Sequence, residues 1–420
     1  MEHVVVIGTG QGAYQLAASL RQQGYQGQIT LVGDEAALPY QRPPLSKDYL
    51  SHGDTDRLAL RRASFYDDQN ITVRPSTRIS AIDRTAMTIE TESGEHISYD
   101  HLVLATGSRN RRPPIAGLDG PNVLALRTLA DAADLRKRLE QMLRVTVIGG
   151  GFIGLEFSAV AAKRGIAVTV VEGAPRLMAR AVSPATSAQF LTAHQSWGAT
   201  VILGQFASRI EGADVTLADG TTIAGDTVIA AAGVVANDEL AQDAGLATED
   251  GVIVDAHLST SDPHISALGD CCRFPEPMSG TLARLESVQA ATDHARTIAA
   301  RLLGQPAPYT AVPWFWSNQA DLKLQIAGFA PTIDDWHTIA GPDGKLAVFG
   351  YVADALAVVE TINQAGLHMA ARKLLTNRGR ITRIEVEAAG YDVKVLAARA
   401  NSVKTESVLT GLWDPSPQSL

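Results

Sequence analysis

Cysteine is nearly absent from this chain: there are two in 420 residues, Cys271 and Cys272, side by side. Neighbouring cysteines rarely close a disulfide and no CxxC spacing occurs, so a disulfide-stapled scaffold is excluded and a reducing, cytoplasmic setting is expected. Both thiols read as small buried side chains, and no metal site is expected. A run of about 18 apolar residues is also lacking, which argues against a spanning helix. The chain opens on an apolar strand, Met1 to Gly8, without a basic segment leading into a long apolar stretch, so no secretory signal is expected. Positive charge is not in excess. The net charge is −9 and the pI about 5.6, which excludes nucleic acid or an anionic membrane as a partner held by bulk charge.

What the chain has is length and clustered glycine. At 420 residues it exceeds one ordinary core, and two or three domains are expected. Its 45% hydrophobic and 19% charged residues are those of a globular protein. Residues 1–34 read as a βαβ unit: an apolar run from Val4 to Ile7, a glycine turn, a helical stretch from Tyr14 to Gln23, and a second strand from Ile29 to Val32. From Val145 to Glu172 the same grammar recurs. This is a duplicated domain type rather than a short-period repeat.

The two glycine turns carry the chemistry. Gly8-Thr-Gly10-Gln-Gly12-Ala13 is a GxGxxA, and Gly149-Gly-Gly151-Phe-Ile-Gly154 is a full GxGxxG. The first glycine permits the tight turn, the second lets backbone approach a pyrophosphate, and the third position lets helix and strand pack closely. The following helix offers unpaired N–H groups and a positive dipole end to the phosphates. One such motif is weak evidence, because glycine turns are common. Here each stands between strand and helix, and an acid follows: Asp34 about 26 residues after Gly8, Glu172 about 23 after Gly149. Both suit a ribose-hydroxyl acceptor, which lies about 20 residues on. Glu172 favours NADH, since a carboxylate repels a 2′-phosphate, although Arg176 and Arg180 follow and keep NADPH open.

Several further stretches resemble one family throughout nearly the whole chain. They are LPYQRPPLSK at 38–47, LVLATGS at 102–108, LRTLADA at 126–132, GGGFIGLE at 149–156, ALGD at 267–270, RLESVQAA at 284–291 and PWFWSNQ at 313–319. The chain is similar to the NADH:ferredoxin reductases of oxygenase systems, the putidaredoxin reductase and biphenyl dioxygenase reductase type, among the glutathione-reductase-like flavoproteins. The resemblance implies an α/β fold with two Rossmann-like FAD- and NAD(P)-binding domains and a C-terminal α+β domain. It implies a discontinuous FAD domain (1–112 and 245–318), an NADH domain (113–244) and a C-terminal domain (319–420) on the ferredoxin side, its boundary lying between about 310 and 319. It assigns non-covalent FAD to Gly8, Gly10, Gly12, Ala13, Asp34, Glu35, Arg42, Lys47, Ile79, Ala105, Thr106, Gly107, Arg127, Gly269, Asp270, Val288 and Trp316. NADH falls to Gly149, Gly151, Ile153, Gly154, Glu156, Glu172, Arg180 and Gly233. Lys47 and Glu156 are the expected catalytic pair beside the flavin. Asp270, after an apolar strand, suits a ribityl-hydroxyl acceptor or a plain Gly-Asp turn. Val288 opens an alanine-rich helix whose start could face the flavin. Trp314 and Trp316 are expected in a proline-bracketed turn.

The implied reaction passes hydride from NADH to FAD and single electrons onward to a [2Fe–2S] ferredoxin, which feeds a cytochrome P450 or a ring-hydroxylating dioxygenase. A basic patch with Arg296 and Lys323 is expected to meet an acidic ferredoxin, and the protein is expected as a monomer or homodimer. Asn318, Ala320 and Ala236 depart from the family pattern, which touches partner specificity rather than the cofactor loops. A same-fold disulfide or peroxide reductase needs a redox cysteine beside the flavin, and RPPLSKDYL has none. A binding protein resembling apoptosis-inducing factor shares PPLSK and the LATG strand, but usually carries long insertions absent here.

Overall fold

A computed structural model describes residues 1–377 and 380–397. Two compact units divide them: one comprises 1–310 with 318–321, the other 311–317 with 322 onward.

The first unit holds two parallel sheets of five strands each. One runs in the order Ile265–Ala267, His101–Leu104, His3–Ile7, Gln28–Val32, Ile71–Arg74. The other runs Thr200–Leu203, Ala167–Glu172, Arg144–Ile148, Thr227–Ala230, Val123–Leu124. Their central strands are continuous apolar runs rather than alternating ones: Val4, Val5 and Val6 are fully buried, as is Val147. Such runs belong to sheets covered on both faces. Each central strand feeds a twelve-residue helix, Gln11–Gln22 in one case and Phe152–Lys163 in the other. Each sheet has a three-stranded antiparallel companion, 79–98 in the first and 207–223 in the second. Two short antiparallel strands, Ser108–Asn110 and Val234–Ala236, connect the repeats. The duplication read from the sequence therefore extends through the topology.

The first sheet is completed from far along the chain. Ile265–Ala267 pairs with His101–Leu104, and helix Val288–Leu302 packs on helix Gln11–Gln22 so tightly that a methyl at Gly12 would come within 3.3 Å of the Ala291 carbonyl oxygen.

The second unit is built on a five-stranded sheet ordered Trp314–Gln319, Leu322–Gly328, Ala355–Ile362, Leu346–Val352, Asp335–Ala340. Helices Ala365–Asn377 and Arg383–Ala388 follow, and the core gathers Phe349, Tyr351, Val359, Leu374 and Val386. The tryptophan segment is a strand, not the expected turn. Alternate aromatics suit the pleat, and Trp314 and Trp316 stack on one side at 5.4 Å. Residues 318–321 go with the first unit, so the change of unit falls inside this strand and the turn after it. Among the described residues no helix is long and apolar enough to cross a membrane.

Candidate active site

The two glycine loops are built alike, atom by atom. Gly8 and Gly149 have φ of 121° and 110°, a region that L side chains rarely occupy. A methyl there would meet the carbonyl oxygen of Ala105 at 2.2 Å and of Ala231 at 2.3 Å, the residues leaving the neighbouring strands. At the third position Ala13 is fully buried, and a methyl at Gly154 would strike the Gly149 carbonyl oxygen at 2.4 Å. The second glycines differ. Beside Gly10 and Gly151 a methyl would meet nothing within 4 Å. Both are N-cap residues, and no side chain caps either helix, whereas Thr128, Ser183 and Ser287 cap the other long helices of this unit. A long helix start with no side-chain cap and open space before it leaves N–H groups and a positive dipole end free for an anion. Two dinucleotide pyrophosphates fit these two starts.

The acids divide unequally. Glu172 ends its strand, and its carboxylate accepts from the Gly150 N–H at 2.6 Å and the Ala174 N–H at 2.7 Å. Glycine loop and Glu172 carboxylate are thus one hydrogen-bonded piece. In the first repeat the register puts Gly33 at the equivalent place, one residue before Asp34. Asp34 is exposed. Glu35 and Arg42 neutralise each other, and Glu35 also accepts from the Tyr40 hydroxyl at 2.6 Å. Burial raises the Tyr40 phenol above its ordinary value, and its oxygen accepts from the Leu129 N–H at 2.9 Å. Arg42 donates to the Arg127 carbonyl at 2.9 Å. Glu35 and Arg42 are therefore a mutual pair on this loop. Arg176 folds back onto the Val182 and Ala179 carbonyls, both at 2.7 Å. Arg180 is exposed beside Gly233.

Lys47 and Glu156, more than a hundred residues apart, meet. Lys47 Nζ lies 2.6 Å from Glu156 Oε2 and donates to the Pro43 carbonyl at 2.9 Å. Pro43–Ser46 is a single 3₁₀ turn with prolines at its start, which leaves Lys47 at φ −135° between it and helix Asp48–His52. Glu156 projects from the start of helix Phe152–Lys163 and is only 5% exposed. Ser46 is the member that sequence reasoning missed: its hydroxyl donates to Glu156 Oε2 at 2.5 Å.

Asp270 is paired as well. Its Oδ2 accepts from Arg127 and from the Ser108 hydroxyl, each at 2.9 Å. Gly269, at φ 71°, donates its N–H to His294 Nδ1 at 3.2 Å; burial holds that imidazole down at about 3, so it is a neutral acceptor. Thr106 and Asn237 exchange two hydrogen bonds between the repeats, at 2.6 and 2.9 Å, with Gly107 at φ 69° beside them. Ile79 is buried at the start of its accessory strand. Ile153 lies in the first turn of the second glycine-loop helix. Val288 begins its helix, but Ser287 accepts from the Ala290 N–H at 3.0 Å, so that start is capped rather than open. Cys271 and Cys272 are free and fully buried, and burial raises both thiols. Arg296 is 59% exposed and ion-paired to Asp293 at 3.1 Å, a half-matched charge. Trp316 and Lys323 belong to the second unit, and Lys323 is exposed.

Residues 2–295 match the model of the pyridine nucleotide-disulphide oxidoreductases. The chain belongs to that family. Residues 314–397 match a second model, described as reductase C-terminal. This oxidoreductase is 44% identical to rhodocoxin reductase of Rhodococcus erythropolis, over 96% of both chains. Its fold matches the crystal structure of the ferredoxin reductase for the CYP199A2 system of Rhodopseudomonas palustris with a TM-score of 0.91 at 44% identity, over 94% of this chain and 100% of that one. It also matches a covalent putidaredoxin reductase–putidaredoxin complex with a TM-score of 0.91 at 34% identity, over 95% and 99%. Despite the family's name, the loop from Arg42 to Leu50 carries no cysteine, and the two buried thiols lie in the Asp270 turn.

Proposed function

We propose that this chain is an NADH-dependent ferredoxin reductase. It takes reducing equivalents from NADH through bound FAD and delivers them singly to a [2Fe–2S] ferredoxin that serves a P450 or ring-hydroxylating oxygenase. The carrying observation is the pair of helix starts at Gly10 and Gly151, neither capped by a side chain, with the Lys47–Glu156 ion pair joining the two repeats. FAD, when bound, supplies what no side chain offers: it accepts two electrons at once and releases them one at a time.

The residues around it hold and orient. The loop from Gly8 to Ala13 with Asp34 would take the FAD pyrophosphate and ribose, and Asp270, braced by Arg127 and Ser108, would accept from ribityl hydroxyls. The loop from Gly149 to Gly154 with Glu172 would take NADH. Glu172 is fixed by two backbone N–H groups and cannot swing away from a 2′-phosphate, while Arg176 is committed to carbonyls. Both features favour NADH. Lys47, held by Glu156 and Pro43, keeps its ammonium at one place between the repeats.

The test is anaerobic. Purified protein should carry about one FAD, be bleached by NADH with a higher kcat/KM than by NADPH, and then reduce members of a ferredoxin panel. Arg296→Glu should slow the ferredoxin step and alter its salt dependence, leaving flavin bleaching intact. Bleaching by NADH without transfer to any iron–sulfur acceptor would favour a binding protein instead.

A further inference from the structure

One exposed aromatic ring lies beside the second acid. Phe206 is 67% exposed, and among the described residues it is the only aromatic in the set of exposed large hydrophobics. A single exposed apolar side chain is ordinary by itself; what gives this one a role is its neighbour. The Phe206 ring lies against Gly173, the residue after Glu172, where a methyl would come within 2.2 Å of Cε1 and 2.6 Å of Cζ. Only glycine at 173 allows the ring that place.

The placement is fixed by backbone rather than by chance packing. The Gly204 N–H donates to the Ala174 carbonyl at 3.0 Å and the Gln205 N–H to the Glu172 carbonyl at 3.2 Å, tying the segment before Phe206 to the segment that carries the acid. Gly204, at φ 70°, turns the chain out of strand Thr200–Leu203, and the Ala218 N–H holds the Phe206 carbonyl at 2.8 Å. One continuous hydrogen-bonded frame therefore joins the glycine loop at Gly150, the carboxylate of Glu172 and the backbone that carries the exposed Phe206 ring.

We infer that Phe206 is the stacking platform for the adenine ring of the nicotinamide dinucleotide. The inference rests on the reading of the Gly149–Glu172 repeat as the NADH site. If Glu172 takes the adenosine ribose, the base attached to that ribose needs a surface within one residue's reach, and a flat apolar ring is what a base stacks on. Stacking there acts on the half of the coenzyme that does not react, so it contributes binding without touching the nicotinamide.

The decisive comparison uses a coenzyme without adenosine. Phe206→Ala should weaken ADP-ribose binding to the FAD-loaded enzyme about tenfold by calorimetry, or ~1.4 kcal/mol. It should lower the ratio of kcat/KM for NADH over kcat/KM for reduced nicotinamide mononucleotide by the same factor. Phe206→Trp should restore both. Unchanged ADP-ribose affinity, or an equal loss with the mononucleotide, overturns the inference; so does a loss confined to the ferredoxin step, which would make Phe206 a partner contact. If the unaltered enzyme binds no ADP-ribose and Glu172→Ala leaves the KM for NADH in place, the reading of the whole repeat falls first.

Discussion

Replacing the second glycine of each loop separates cofactor from fold, because the structure gives the first and second glycines opposite surroundings. Gly10 has φ −84° and no atom within 4 Å of a built methyl. Gly10→Ala should therefore cost the fold only the loss of a favourable N-cap residue, ~1 kcal/mol. The methyl would stand where the pyrophosphate must approach the helix start. Displacing one charge-assisted contact forfeits ~1.5–3 kcal/mol, about 10- to 100-fold in Kd. Gly8→Ala is the contrast. It forces a side chain to φ 121° and puts its methyl 2.2 Å from the Ala105 carbonyl oxygen, so folding itself should suffer. Gly151→Ala should repeat the Gly10 result at the other site. The assays are chemical denaturation of apoprotein, fluorescence titration with FAD, and the KM for NADH. Gly10→Ala should lose FAD affinity, whereas Gly151→Ala should keep its flavin and raise the KM about 10- to 100-fold. A Gly10→Ala protein that binds FAD like the parent, or a Gly151→Ala protein that sheds flavin, would refute the assignment of the loops.

The Lys47–Glu156 pair should behave as a buried ion pair: Lys47→Met strands a carboxylate that is 5% exposed and should cost ~3 kcal/mol, much of which the double variant with Glu156→Gln recovers in a denaturation cycle. The buried histidines set the acid limit. His101 and His294 both titrate at about 3 in the fold because burial disfavours their charged form, against 6.5 in the open chain. The unfolded chain thus binds more protons between these values, and stability present above 6.5 is lost as pH falls toward 3, at ~1.4 kcal/mol per pH unit for each histidine. These two give ~3 kcal/mol between pH 6.5 and 5, readable as denaturation midpoints, and His368, lowered to about 4 by burial, adds to the same slope. His294→Phe should remove one histidine's share, ~1.4 kcal/mol per pH unit at the steepest; an unchanged slope would clear His294.

Much of this was legible because glycine loops are local. Strand, turn, helix and acid lie within about 30 residues, so both repeats could be read, as could the meeting of Lys47 and Glu156 through the resemblance. What was hidden depends on contacts between distant segments. No spacing rule reveals that Ser46 shares the oxygen of Glu156 with Lys47, that Glu35 and Arg42 neutralise each other, or that Phe206 folds over Gly173. Counting residues from each glycine also concealed that Asp34 and Glu172 stand one register position apart. The tryptophan segment was misread because its prolines suggest a turn, whereas its three aromatics make it a strand.

The completion of the first sheet by Ile265–Ala267 has a consequence for synthesis. All five strands of the second sheet lie between residues 123 and 230, so that sheet can close while the chain is still emerging. The first sheet waits for a strand made more than 150 residues after its neighbour His101–Leu104, and longer for the helix at 288–302 that Gly12 packs against. The order of assembly on the ribosome is therefore expected to run against the usual N-terminal-first sequence, the second sheet closing before the first. Truncations ending between about 245 and 265 should yield a folded second repeat attached to an unfinished first one.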